Sequence, residues 1–85
     1  MIEERTVKKV RYTSYTDGKG VQWEVRTKPI YFNRKIVEYE TTLFCLSRFP
    51  RVRDVIVSHE GKQARQRHDG LIARLQRADA YDEVS

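Results

Sequence analysis

Three arginines near the end of the chain are spaced to bind phosphate groups. Arg67, Arg74 and Arg77 recur at the spacing of one face of a helix, and Lys62 precedes them. Residues 61–78 hold five basic residues and one acidic residue, a local charge of +4. An arginine ridge on a helix can follow a phosphate backbone. The alternative is a charged face that only keeps the helix soluble.

A second set of basic residues lies in a predicted β-hairpin, in which strands 6–16 and 21–27 flank an Asp-Gly-Lys-Gly turn. With a two-residue loop, Arg11 faces Arg26 and Lys9 faces Lys28. Like charges opposite each other destabilise a ladder unless an anion lies between them. Aromatic residues beside basic ones can bind single-stranded nucleic acid. The predicted binding residues of the hairpin are Lys9, Arg11, Tyr15, Lys19, Arg26 and Lys28.

Histidine and cysteine residues predict no metal site and no catalytic site. His59 and His68 each precede an acidic residue, but the spacing matches no known metal motif. His68 falls on an apolar helical stripe, where a packed histidine is the ordinary explanation. Cys45 lies between apolar residues, which favour an inert thiol in the core. We therefore expect no cofactor, no small-molecule substrate and no enzyme activity.

Composition favours one small domain with acidic partners. The chain has 85 residues and a net charge of +5, with a pI near 9.6. A basic balance is typical of proteins that bind nucleic acid or acidic surfaces. Many small basic proteins, however, bind no anion. One cysteine, no leader-like segment and no long apolar run favour a cytoplasmic location without a membrane.

The central segment, residues 33–58, holds most of the large aliphatic side chains and determines the predicted fold. Between Asn33 and Phe49, apolar residues recur at three- and four-residue spacing, which favours a helix that Asn33 caps. The same segment is rich in β-branched and aromatic residues, so a strand is the alternative. Residues 52–58 predict a buried strand.

The remaining segments complete an α+β fold. We expect a helix over 62–80, which Asp69 and Gly70 could divide in two, and loose ends at 1–5 and 79–85. The predicted topology is ββαβα, a small antiparallel sheet with one helix packed on it and a C-terminal helix. The alternative is a four-stranded meander with a C-terminal helix. Residues 30–32 could form an exposed edge strand, so both a monomer and a homodimer are compatible with the sequence.

Two functions fit these features. The first is a small non-enzymatic protein that binds nucleic acid or a nucleoprotein complex through the basic hairpin face and the arginine ridge. The second is a small inhibitor or adaptor, of the kind encoded by viruses and mobile elements, that blocks a larger host protein or defence complex by protein–protein binding. The second rests on size and composition rather than on particular residues.

Overall fold

The fold is α+β, as predicted: one antiparallel sheet of five strands, in chain order, and one C-terminal helix. It is described here from a computed structural model that covers residues 1–84. The elements are β1 (Ile2–Val7), β2 (Val10–Thr16), β3 (Gln22–Phe32), β4 (Lys35–Cys45), β5 (Val52–Ser58) and α1 (Gly61–Val84).

The predicted helix between Asn33 and Phe49 is wrong, because strand β4 occupies this segment. Asn33 and Arg34 form a two-residue hairpin turn, with φ angles of 50° and 64°, which brings Phe32 opposite Lys35. The β-branched and aromatic residues then alternate across the strand and pack better there than on a helix. The four-stranded meander, our alternative, is closer to the structure.

The fifth strand comes from the N-terminus, where we expected a loose lead-in. The predicted strand 6–16 is two strands, because Lys8 and Lys9 form a turn with φ angles of 50° and 67°. That turn pairs Val7 with Val10 and places β1 at the edge of the sheet. A Val-Lys-Lys-Val run contains no glycine or asparagine, so the turn had no residue signature.

The predicted register between β2 and β3 is also wrong, by one residue. Gly20 adopts a φ of 80°, and the N–H of Asp17 donates to the carbonyl of Val21 at 3.0 Å. The loop therefore has three residues rather than two, which is the hairpin with a glycine bulge. A one-residue shift moves a whole strand to the other face, and Arg11 pairs with Thr27 instead of Arg26.

Helix α1 covers one face of the sheet. Its Leu71 packs against Val25 and Leu43, with partly buried Trp23 and Ile56 at the sides. Gly70 does not divide the helix, and the helix continues through residues 79–84, which we expected to be loose. Ser85 lies outside the described residues. As the sequence predicts, Cys45 is a buried core residue.

The opposite face of the sheet, which we call the open face, is covered by none of the described elements. One row of side chains crosses all five strands on this face, in the order Arg5, Tyr12, Arg26, Thr42 and Val55. The Arg5 and Arg26 guanidinium groups stack on the Tyr12 ring, 4.6 and 5.2 Å from its centre.

Residues 28–38 form a two-stranded arm that extends beyond the rest of the sheet. Strand β2 pairs with β3 only as far as Thr27, and β5 pairs with β4 only as far as Tyr39. The first residue of α1, Gly61, lies beside Tyr39. The helix runs away from the arm, towards the β2–β3 turn, where Asp79 accepts a hydrogen bond from the Gly18 N–H at 2.9 Å.

A candidate anion-binding groove

Two of the predicted binding residues, Lys9 and Arg11, line a groove between the first half of α1 and the β1–β2 end of the sheet. The cavity measures about 410 Å³. Three of its residues are cationic and one is acidic. We call it the cationic groove; its lining consists of Thr6, Lys9, Arg11, Thr27, Tyr39, Gly61, Ala64, Arg65, His68 and Asp69.

Lys9 reaches the groove from a strained turn. Two-residue turns of this kind favour asparagine and glycine, because both central residues need positive φ. A side chain with a Cβ costs roughly 1–2 kcal/mol in that conformation, and here both residues are lysines, with φ angles of 50° and 67°. Strain of this kind persists where the surrounding structure imposes it, and it is frequent at functional sites.

Arg11 is held in place from two sides. Its Nε–H donates to the Glu4 carboxylate, and its Nη2 donates to Asp69 Oδ1 at 2.8 Å. Partial burial would lower the pKa of Arg11, but the hydrogen bonds to Glu4 and Asp69 raise it. Arg11 therefore stays charged, and three of its five N–H donors remain for a further partner.

Arg65 supplies the third cation from the helix side. It is an exposed residue of α1, four positions before Asp69. Among the residues that the structure describes, neither Arg65 nor Lys9 forms an ion pair. Asp69, the carboxylate that lines the groove, is already bonded to Arg11. Lys9 and Arg65 are therefore the two cations of the lining without a carboxylate partner among the described residues, whereas Arg11 is shared by Asp69 and by Glu4, which lies outside the lining.

His68 forms the floor of the groove and is fully buried. Its ring nitrogens lie 2.7 Å from Thr13 Oγ1 and 2.7 Å from Thr27 Oγ1. Burial, with the nearby Arg11 charge, lowers the pKa of His68 to about 4. The imidazole is therefore neutral near pH 7, one nitrogen donating and the other accepting. This confirms the prediction of a packed histidine.

Tyr39 and Gly61 form the end of the groove at the base of the arm. A Cβ on Gly61 would lie 3.3 Å from the Tyr39 hydroxyl oxygen, a distance at which the tyrosine would have to move. Glycine here allows the start of α1 to approach the ring closely.

The predicted hairpin face does not exist as one surface. Arg26 lies on the open face, where its Nη2 contacts Glu24 Oε1 at 2.7 Å and its guanidinium stacks on Phe44. Lys28 lies 3.6 Å from Glu40. Tyr15, predicted as a stacking surface, is buried and donates to Asp79 Oδ2 at 2.5 Å. Lys19 is exposed at the far end, in the β2–β3 turn.

The predicted arginine ridge is divided between two roles. Arg67 donates to the Val57 carbonyl at 2.6 Å and to Ser58 Oγ at 3.1 Å. Arg74 lies 3.7 Å from Asp54 Oδ2. Both arginines therefore bind α1 to the edge strand β5, whereas Lys62 and Arg77 are exposed on the helix.

Sequence reasoning missed Arg65, which was counted in the local charge but assigned no role. Its place in the groove depends on the β1–β2 turn, which brings Lys9 beside the helix. No residue signature in the sequence predicts that turn, because its two central residues are lysines.

Comparison of the chain with protein-family models, curated proteins and solved structures gave no match. In the described part of the chain, no three histidine, cysteine or acidic side chains are grouped so as to hold a metal ion. None of the helical residues described forms a segment long and apolar enough to cross a bilayer. A proposal about function therefore rests on the geometry of the cationic groove.

Proposed function

We propose that this protein is a non-catalytic nucleic-acid-binding protein that holds the phosphate backbone in the cationic groove. One observation carries the proposal: Lys9, Arg11 and Arg65 come from three different elements and converge on one cavity. The only carboxylate in the lining is bonded to Arg11 and leaves the other two cations available.

The groove matches the chemistry of a phosphate. Lysine and arginine N–H groups form strong charge-assisted bonds to phosphate oxygens, and arginine can bind two oxygens at once. Lys8 precedes Lys9 in the turn, and Lys62 is exposed on the first turn of α1. These two lysines can meet phosphates on either side of the groove. Contacts to the phosphate backbone carry no sequence information, so we expect binding with little dependence on sequence.

Fluorescence anisotropy with short DNA and RNA strands, single and double, between 50 and 200 mM salt tests the proposal. Binding should weaken steeply with salt, because each neutralised phosphate releases counterions. The double variant Lys9→Glu/Arg65→Glu should lose about 100-fold or more in affinity at low salt, and its salt slope should fall by about 2.

The matched control is Arg48→Glu/Arg51→Glu, which makes the same charge change in the exposed β4–β5 loop, at the far end of the molecule. If both double variants lose affinity equally, net charge rather than the groove governs binding. If the unmodified protein binds none of the four nucleic acids at 50 mM salt, the proposal is wrong.

Protein binding is the second candidate function, and the open face favours it. Val52, Val55 and Val57 of β5 are 52, 52 and 45% exposed on that face, and Phe49 in the preceding loop is 80% exposed. Contiguous exposed apolar residues mark protein-binding surfaces. If protein binding is the function, Val55→Asp should abolish binding to the partner protein, whereas Lys9→Glu/Arg65→Glu should leave that binding intact.

A further inference from the structure

One face of the arm continues the sheet surface that lines the cationic groove. Side chains alternate along a strand, so Thr27, Pro29 and Tyr31 of β3 share this face. Thr27 lines the groove, and so does Tyr39, which pairs with Pro29. The bulge in the arm adds Val37 to β4 and leaves the alternation of β3 unbroken. At the usual rise of a strand, Tyr31 lies about 13 Å beyond Thr27.

The Tyr31 ring is accessible from the groove. Helix α1 begins beside Tyr39 and runs away from the arm, and the Tyr31 side chain is 51% exposed. On the open face, by contrast, the Arg26 guanidinium already stacks on the rings of Tyr12 and Phe44. No guanidinium of residues 1–84 stacks on Tyr31. Its ring is therefore free to stack on a ligand that leaves the groove at Tyr39.

Positive charge lies at both ends of this path. Lys9 and Arg65 line the groove, and Arg34 is exposed in the turn at the tip of the arm. The arm contains one acidic residue, Glu38, which pairs with Ile30 and so lies on the other face. Proteins that bind single strands combine a positive groove along the phosphate backbone with aromatic rings on which bases stack. The groove and the arm together have both features.

We propose that the nucleic acid bound by this protein is single-stranded, with phosphates in the cationic groove and an unpaired base stacked on Tyr31. This inference rests on the proposed function and names the form of nucleic acid. The bases of a duplex are paired and stacked on each other, so none reaches the ring unless its pair opens. Stacking accepts every base, which agrees with the weak dependence on sequence expected of the groove.

Removal of the Tyr31 ring tests the proposal by fluorescence anisotropy at fixed low salt. The probe is a labelled strand of about 12 thymidines, alone or annealed to its complement. The unmodified protein should bind the free strand more tightly than the duplex. Tyr31→Leu should weaken binding of the free strand by about 10-fold or more and binding of the duplex by less than about twofold. Tyr31→Phe keeps the ring and should stay within about twofold of the unmodified affinity.

Phe32→Leu is the matched control. Phe32 is the next residue of the arm, is 67% exposed and lies on the opposite face, because side chains alternate along β3. Its replacement also removes one exposed ring from the arm but should change the affinity for the free strand by less than about twofold. Circular dichroism checks that every variant is folded.

Three results would overturn this inference while nucleic acid still binds and the proposed function stands. They are an unchanged affinity of Tyr31→Leu, an equal loss for the free strand and the duplex, and an equal loss in Phe32→Leu and Tyr31→Leu. If neither the free strand nor the duplex binds the unmodified protein, the proposed function is wrong, and this inference is wrong with it.

Photocrosslinking locates the stacked base in the unmodified protein. A single strand that contains iodouracil is irradiated in the presence of saturating protein, and the crosslinked peptide is identified by mass spectrometry. The crosslink should map to Tyr31. A crosslink to Tyr12 or Phe44 instead would place the base on the open face and contradict the proposal.

Discussion

His68 Nδ1 lies 2.7 Å from Thr27 Oγ1, and this contact joins α1 to the centre of the sheet. Thr27 Oγ1 also lies 2.8 Å from Thr41 Oγ1, and the other ring nitrogen of His68 bonds to Thr13. A single buried side chain of the helix thus connects three neighbouring strands. Hydroxyl and imidazole groups occupy positions where a purely apolar core would place aliphatic ones, and all of them are fully or almost fully buried.

We expect the free energy of unfolding to fall as the pH is lowered from about 6.5 to about 4. The pKa of His68 is about 4 in the folded protein and about 6.5 in the unfolded chain. The unfolded state therefore binds more protons in this window, so acid favours unfolding. The contribution of His68 to the free energy of unfolding is fully present above pH 6.5 and is lost below pH 4. The total loss is roughly 3 kcal/mol. Urea denaturation at a series of pH values measures it.

His68→Gln is the control for this effect. Glutamine retains hydrogen-bonding groups but does not titrate, so its stability curve should be much flatter between pH 4 and 6.5. If the variant keeps the same slope as the unmodified protein, groups other than His68 cause the pH dependence.

Thr27→Val should lower the free energy of unfolding by about 1–3 kcal/mol. Valine has nearly the same shape as threonine but leaves a His68 nitrogen and the Thr41 hydroxyl without their partner in the core. Thr42→Val is the matched control, because Thr42 is also buried but forms no side-chain hydrogen bond in the described residues. Chemical denaturation should show a change of less than about 0.5 kcal/mol for the control. Equal losses in both variants would indicate a packing effect rather than the hydrogen bonds.

The sequence predicts those segments of the fold in which the local pattern of apolar residues fits only one kind of secondary structure. The last helix was predicted because its apolar residues recur at helical spacing, and the β5 strand because it contains a short run of β-branched residues. The prediction that β5 is buried is wrong: it is an edge strand, and the side chains of Val52, Val55 and Val57 are about half exposed. Residues 35–45 fit both periods, and only the pairing of β4 with β3 and β5 excludes the helix. A long-range contact of this kind leaves no trace in a single segment.

The candidate site was predicted only in part, for a related reason. Lys9 and Arg11 were identified by their charge, but their direction depended on turns at Lys8-Lys9 and at Gly20. The second turn has one loop residue more than we assumed, and that residue moves Arg26 to the other face. Side-chain direction in a sheet is decided by single residues in its turns.

Two glycines should respond to alanine in opposite ways. Gly70 lies in the middle of α1, and an added Cβ would meet nothing within 4 Å. Gly70→Ala should therefore stabilise the protein by about 0.5–1 kcal/mol, because alanine favours helices. Gly20 also has open space around it, but its φ is +80°, so Gly20→Ala should cost about 1 kcal/mol. Thermal or urea denaturation measures both. A stabilising Gly20→Ala would contradict the three-residue loop.

Arg67 and Arg65 are two positions apart on α1 and should separate stability from binding. Arg67 donates to the carbonyl of Val57 in the edge strand, so Arg67→Ala should lower the free energy of unfolding by about 1–2 kcal/mol. Under the proposed function it should change nucleic-acid affinity by less than about twofold at fixed salt, because a side chain bonded to β5 is not available to phosphate. Arg65→Ala should do the opposite: almost unchanged urea stability and an affinity about 5- to 10-fold lower in the anisotropy titration. If Arg67→Ala instead weakens binding more than Arg65→Ala, the predicted ridge on α1, rather than the cationic groove, holds the phosphates.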